Sequence, residues 1–144
     1  MAEAMQAGLT TSVQIVETCL SRIDDRESEL HAWVSVDRGG ALAVAAERDR
    51  ERSAGKIRGP LHGIPIGIKD IVDVEGMVTG AGSPLMSQGP AAERDAELVG
   101  LLRDAGAVIL GKTVTTQFAC FDPPPTRNPW NLAHTPGGSS SGSV

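Results

Sequence analysis

Two segments of this sequence could do chemistry together. Near its end, Pro136-Gly137-Gly138-Ser139-Ser140-Ser141-Gly142-Ser143 packs four serines and three glycines into eight residues. Serine hydroxyls relay protons or attack carbonyls, and glycines let the backbone approach other groups closely. Far upstream, Gly63-Ile64-Pro65-Ile66-Gly67-Ile68-Lys69-Asp70 is a strand-like run with a lysine near its end. A serine beside a buried lysine is the basis of Ser/Lys chemistry, in which a neutral amine serves as the base. Taken singly, Lys69 reads as a solvated strand-end lysine and the serine run as a flexible linker or frayed terminus.

The elements that must hold these groups read as alternating helices and short apolar strands, an α/β layer pattern. Thr11 and Gln14 have the spacing of a capping box. Val13, Val16, Leu20 and Ile23 recur at helical spacing, so a helix is expected over 12–27. Leu30 to Val36 reads as a link, and Ala41 to Arg52 as a second helix stopped near Gly55. Ile64, Ile66 and Ile68 alternate with Pro65, Gly67 and Lys69, which is period two and hence a strand. The small or compact Pro65 and Gly67 would leave room beside the Lys69 amine, and Pro65 argues against a regular central position in a sheet. Asp95 to Ala105 reads as a helix ended by Gly106, Ala107 to Leu110 as a short buried strand, and Thr113 to Ala119 as a helical turn or two. Pro123-Pro124-Pro125 forbids regular structure.

Other letter matches carry less. Gly106 to Thr113 fits the P-loop pattern, but its four intervening residues are apolar and read as the strand itself, and amides paired in a sheet cannot cradle phosphate. Ser53-Ala54-Gly55-Lys56 matches S-x-x-K without the partner motifs that give that pattern meaning. Cys120 and His134 form a nucleophile–base candidate that nothing local supports, and Cys19 and Cys120 have no metal-ligand spacing, so both read as buried or incidental thiols.

The 144 residues are 40% hydrophobic, enough for one packed domain, with 3% aromatics and no tyrosine, so the core must rest on Ala, Val, Ile and Leu. A net charge of −5 offers no basic surplus for phosphates, and nucleic acid is not an expected partner. No stretch reaches the ~18 apolar residues of a membrane span. Met1 to Thr10 lacks the basic flank and apolar core of a signal peptide, so the cytoplasm is the expected compartment.

The lysine and serine segments together resemble the amidase signature family. Thr79-Gly80-Ala81-Gly82-Ser83 is similar to the family's loop after the lysine. Asp95 to Gly111 is similar to its helix–strand unit, which ends in Gly-Lys-Thr, and Asn128-Pro129-Trp130-Asn131 to its approach to the serines. The ordered match runs from about Ser12 to Val144.

The resemblance implies the N-terminal part of one amidase domain over 1–144, an incomplete mixed sheet flanked by helices, and hydrolysis of carboxylic amide C–N bonds by a Ser–Ser–Lys triad. Lys69 matches the catalytic lysine and Ser139 the bridging serine, held by a cis Gly138–Ser139 peptide, with Gly137, Gly138 and Ser140 supporting it. The acyl-accepting serine maps onto no residue here, so the chain alone is expected to be inactive and to expose apolar strands.

Neutral Lys69 is required for the relay; its ordinary pKa is ~10.4, and burial lowers it. The resemblance implies a small amide substrate, no metal, no cofactor and no membrane, and leaves open a homo-oligomer in the full-length protein. Many relatives carry an acid where Gln117 stands, which favours a general amidase over the A subunit of a glutamine amidotransferase. A truncated paralogue acting as a non-catalytic binding module is a further alternative; an open reading frame past Val144 would speak against it.

Overall fold

The computed structural model describes residues 1–143; Val144, where the resemblance stops, lies outside them. Four helices are α1 (Ala2–Gln6), α2 (Ser12–Leu30), α3 (Arg38–Ser53) and α4 (Glu97–Asp104). Three strands are β1 (Trp33–Val36), β2 (Pro65–Lys69) and β3 (Val108–Thr113). The sheet order is β1-β3-β2, with β1 antiparallel and β2 parallel to β3. The α/β reading holds, and the sheet is mixed. Pro65 begins a strand that is an edge among the described residues, where a missing N–H costs no ladder bond.

Helix α2 starts where the capping box predicts. Thr11 Oγ1 accepts from Gln14 N–H, and Gln14 Oε1 accepts from Thr11 N–H. It runs past 27 to Leu30 because Glu27 also serves the next strand: its carboxylate accepts from Ala32 and Trp33 N–H at 3.1 and 2.9 Å. His31, in the left-handed conformation at φ 51°, turns the chain out. The expected link from Leu30 to Val36 is in fact mostly strand β1. Helix α3 begins three residues before Ala41, because Asp37 caps it by accepting from Gly40 N–H at 2.9 Å.

Each sheet face has its own core. Val16, Leu20, Ala41 and Ala45 of α2 and α3 pack on Val108 and Leu110, with Trp33 alongside. Val74 and Val99 pack on Ile68 and Ile109 from the other side. Asp49 joins α3 to the start of α2 by accepting from Ser12 and Val13 N–H at 2.8 and 3.0 Å, and Ser12 Oγ donates to Gly63 O at 2.8 Å just before β2. The helical layer is thus tied to the lysine-bearing strand by backbone-directed bonds.

Strand β3 is longer than Ala107–Leu110 and contains a bulge. Ile66 pairs with Ile109 but Gly67 pairs with Gly111, so β3 carries one extra residue there. After the bulge, Lys112 pairs with Ile68 and shares its face, the one holding Val74 and Val99. Thr113 pairs with Lys69 on the opposite face. The segment expected to be helical from Thr113 is therefore strand at Thr113, and only Gln117–Ala119 makes a single 3-10 turn. The P-loop lookalike is this buried strand, with its amides spent on sheet pairing.

Large apolar side chains remain exposed among the described residues, including Leu85, Phe118, Phe121 and Trp130. No described helix is long and apolar enough to cross a membrane.

Candidate functional site

Strand β2 delivers Lys69 at its end. Period-two alternation puts Ile68 into the core and Lys69 on the face shared with Gly67 and Thr113. The room expected beside Lys69 is already taken: a Cβ on Gly67 would lie 2.7 Å from Thr113 Cγ2 and 2.9 Å from the Trp33 ring. Gly67 is small because those two side chains close over it, and Thr113 is the residue that pairs with Lys69.

The serine segment hangs from the continuation of β3. Thr116 N–H donates to Ser139 O at 3.1 Å, and Gly142 N–H donates to Val114 O at 2.9 Å. A Cβ on Gly142 would come 2.5 Å from Val114 N and closer still to Ala32 O, so only glycine fits between those backbones. Ser141, buried, donates its hydroxyl to Gly137 O at 2.7 Å. Ser143 Oγ lies 3.3 Å from Thr113 Oγ1. The Gly138–Ser139 peptide is cis, as the resemblance implies.

These bonds bring Ser139 to Lys69 across 70 residues of sequence: Nζ donates to Oγ at 2.7 Å. Both residues are half-buried. Among the described residues Lys69 has no carboxylate partner, and its contact is a neutral hydroxyl. The same short contact accommodates a serine O–H donating to an unprotonated amine, so the pair can pass a proton either way.

The other expected residues take lesser places. Gly137 holds φ 103°, a backbone state suited to glycine, and its carbonyl receives the Ser141 hydroxyl. Gly138 lies against Thr116, where a Cβ would come 3.0 Å from Cγ2. Ser140 is half-buried and enters through its carbonyl, which accepts from Ser143 N–H at 2.9 Å. The hydroxyl that ties the loop together is Ser141's, which sequence reasoning passes over. Thr116 Oγ1 is buried without a partner among the described residues.

Cys120 and His134 do not meet: both are exposed, and Cys120 Sγ contacts Phe118 O at 3.7 Å. Burial pushes the Cys19 thiol up, away from reactivity. A groove of about 780 Å³ lies between β1 and segment 75–80, lined by residues including Val34, Asp37, Glu75 and Met77; neither Lys69 nor Ser139 lines it.

A second group that sequence reasoning misses lies across the sheet. Lys112 is fully buried and its Nζ donates to Asp70 Oδ1 at 2.7 Å. A period-two reading carried past Leu110 would flag a charge in a buried strand, although on the wrong face because of the bulge.

Comparison with known proteins gives the family. The sequence model of the Amidase family matches residues 14–144. The chain is 42% identical over 149 aligned residues to the A subunit of glutamyl-tRNA(Gln) amidotransferase from Streptomyces avermitilis, covering 99% of this chain and 30% of that protein. It is 40% identical to the corresponding protein of Lachnospira eligens, which bears the same name, covering 100% and 31%. Among solved structures, native peptide amidase from Stenotrophomonas maltophilia superposes with a TM-score of 0.90 at 42% identity, covering 98% of this chain and 31% of the other. The chain thus spans about three-tenths of the length of these relatives.

Proposed function

The chain belongs to the amidase signature family, and from that premise we propose that it supplies the base and bridging hydroxyl of an amide-hydrolysing enzyme. The observation that carries this reading is the 2.7 Å contact between Lys69 Nζ and Ser139 Oγ.

In this mechanism unprotonated Lys69 takes a proton from Ser139 Oγ. Ser139 in turn takes one from a nucleophilic serine beyond the present chain, which attacks the amide carbonyl. The cycle reverses to protonate the departing nitrogen, and water then clears the acyl group. The carbonyl of Ser139 is fixed by Thr116 and its neighbours by Ser141. The hydroxyl therefore stays in line with the amine without reorganising, which is what positioned proton transfer requires.

The chain is read as the N-terminal part of a single amidase domain, acting in the cytoplasm on a small carboxamide. Because it carries the relay without the nucleophile, the 144 residues alone should not turn over amides. A serine-directed covalent probe that labels this chain would contradict that.

In the complete enzyme, Lys69→Ala should lower ammonia release from small carboxamides by about 10²–10⁴-fold, the usual range for a lost acid–base group, with circular dichroism unchanged. Near-normal turnover would remove Lys69 from the mechanism.

A second reading has its own support, since two proteins named as A subunits of glutamyl-tRNA(Gln) amidotransferase are 40% and 42% identical to this chain. It would use the same Lys69–Ser139 pair to release ammonia from glutamine. By the family resemblance an acid is expected where Gln117 stands in an amidotransferase, and Gln117 therefore favours the hydrolase. Glutamine-dependent amidation of a mischarged tRNA by the complete enzyme with its partner subunits would reverse that preference.

A further inference from the structure

The proposed relay leaves one buried ionic cluster unused. On the sheet face opposite Lys69, the Lys112 ammonium donates to Asp70 Oδ1 at 2.7 Å, Thr79 Oγ1 at 3.1 Å and Val78 O at 3.2 Å. Its three N–H bonds are thereby all used. Lys112 and Asp70 are 0% and 1% exposed, so neither charge reaches water. Taking both charges out of water is costly, and apolar residues of similar volume often hold a fold as well or better. Stability is therefore a weak reason for the pair to be there.

Its location gives a better one. Asp70 follows Lys69 directly and is held at four points. Its N–H donates to Thr113 O at 2.9 Å, and its carbonyl accepts from Ala81 N–H at 2.9 Å. Its carboxylate accepts from Lys112 Nζ and, at 3.1 Å, from Gly80 N–H. A Cβ on Gly80 would come 3.1 Å from Asp70 Oδ2, so the loop approaches as closely as its backbone allows. The four bonds on Asp70 fix the backbone and the side chain of the residue next to Lys69.

We propose that the Asp70–Lys112 pair is a positioning device for Lys69, fixing the end of β2 from the opposite face so that the Lys69 amine meets Ser139 Oγ. The inference rests on the Lys69–Ser139 reading above. It assigns Asp70 and Lys112 no contact with substrate, and it explains why a fully desolvated charge pair stands one residue from the base.

The test uses the complete enzyme and the carboxamide it turns over best. Asp70→Asn with Lys112→Met removes both charges while keeping side-chain volume and an acceptor for Gly80 N–H. This double variant should lower kcat about 100-fold, as expected for a reacting group displaced by roughly an ångström, with KM changed less than about twofold. In a Lys69→Ala background the same double change should cost nothing more in kcat, because the group it positions is already absent.

A folded double variant with unchanged kcat would overturn the proposal. So would the same fold-loss in both backgrounds, which is the signature of a general structural effect. Full turnover by Lys69→Ala alone would instead sink the relay reading, and this one with it. If the double variant does not fold, Thr79→Val decides. It removes one acceptor from Lys112 without stranding a charge, and should lower kcat by less than is expected of the double variant, through a smaller displacement of Lys69, with no such loss in the Lys69→Ala background.

Discussion

Lys69 and Lys112 stand on neighbouring strands, one register position apart and on opposite faces of the same sheet. Lys112 is fully buried, and its charge is answered by Asp70 and two further oxygens. Lys69 is half-buried and meets a neutral hydroxyl. The N–H groups of Lys112 are all spent on those oxygens, which leaves none to offer a reacting group. An amine facing only a hydroxyl can exchange a proton with it. The difference lies in the partners each strand position offers, since the residue type is the same. Depth of burial alone would point to Lys112 and not to the lysine proposed as the base.

The sharpest way to break this contrast is to remove each long side chain's charge in turn. Lys112→Met strands the buried Asp70 carboxylate and should cost about 3–5 kcal/mol of stability, read from urea unfolding. Lys69→Met, half-buried and without an ionic partner, should stay within about 0.5 kcal/mol on the same assay. Equal losses would mean that the two lysines play the same part.

Next in size is Gly67→Ala, which drives a methyl into Thr113 Cγ2 and the Trp33 ring. Overpacking of this kind costs about 1–3 kcal/mol and should lower activity by shifting Thr113, the strand partner of Lys69. An unchanged Tm would mean that Trp33 can withdraw without consequence. Ser141→Ala should cost about 1 kcal/mol through its lost bond to Gly137 O and loosen the serine segment. Faster amide exchange at Gly142, with exchange in β1 unaltered, would check it.

The smallest effect is a control remote from both lysines. Hydrogen bonds from Arg58 and then Arg48 hold the Glu51 carboxyl at about 2, below its ordinary 4.5. The folded value is the depressed one, so this group's contribution is complete above about pH 4.5 and is lost as pH falls toward 2. Glu51→Gln should flatten the acid limb of a Tm-against-pH curve slightly. An unchanged acid limb would show that these surface pairs contribute nothing.

The lysine and serine segments are legible in the sequence because their signals are local. Three isoleucines at period two place Lys69 on one side of a strand, and the glycine–serine run announces a backbone that must approach something closely. Helix α2 is legible through its capping box. Strand β1 is not: it has four residues, two of them exposed, too few to show an alternation. The early start of α3 is hidden by Gly39 and Gly40, whose poor helix propensity masks the Asp37 cap. Lys112 escapes because the apolar run that marks its strand ends at Leu110. Only the paired register reveals that the buried stretch continues through a charge, and only the three-dimensional partners show what answers it. Ser139 can be matched to its role by resemblance, but its 2.7 Å approach to Lys69 depends on the bonds from Thr116 N–H to Ser139 O and from Gly142 N–H to Val114 O, which no local pattern announces.

The extra residue at Gly111 carries a consequence for how this strand tolerates change. A Cβ there would come 2.9 Å from Ser35 C and nearer still to its carbonyl oxygen, so the site admits no larger residue without displacing β1. Pairing the same residues without the bulge would restore strict alternation and turn Lys112 toward Val108 and Leu110, leaving Asp70 without its partner. The address of a charge in this sheet is written in the count of residues as much as in their kind. A one-residue insertion between Leu110 and Lys112, which shifts Lys112 to the other face, should therefore cost more than a conservative apolar substitution at Val108 or Leu110.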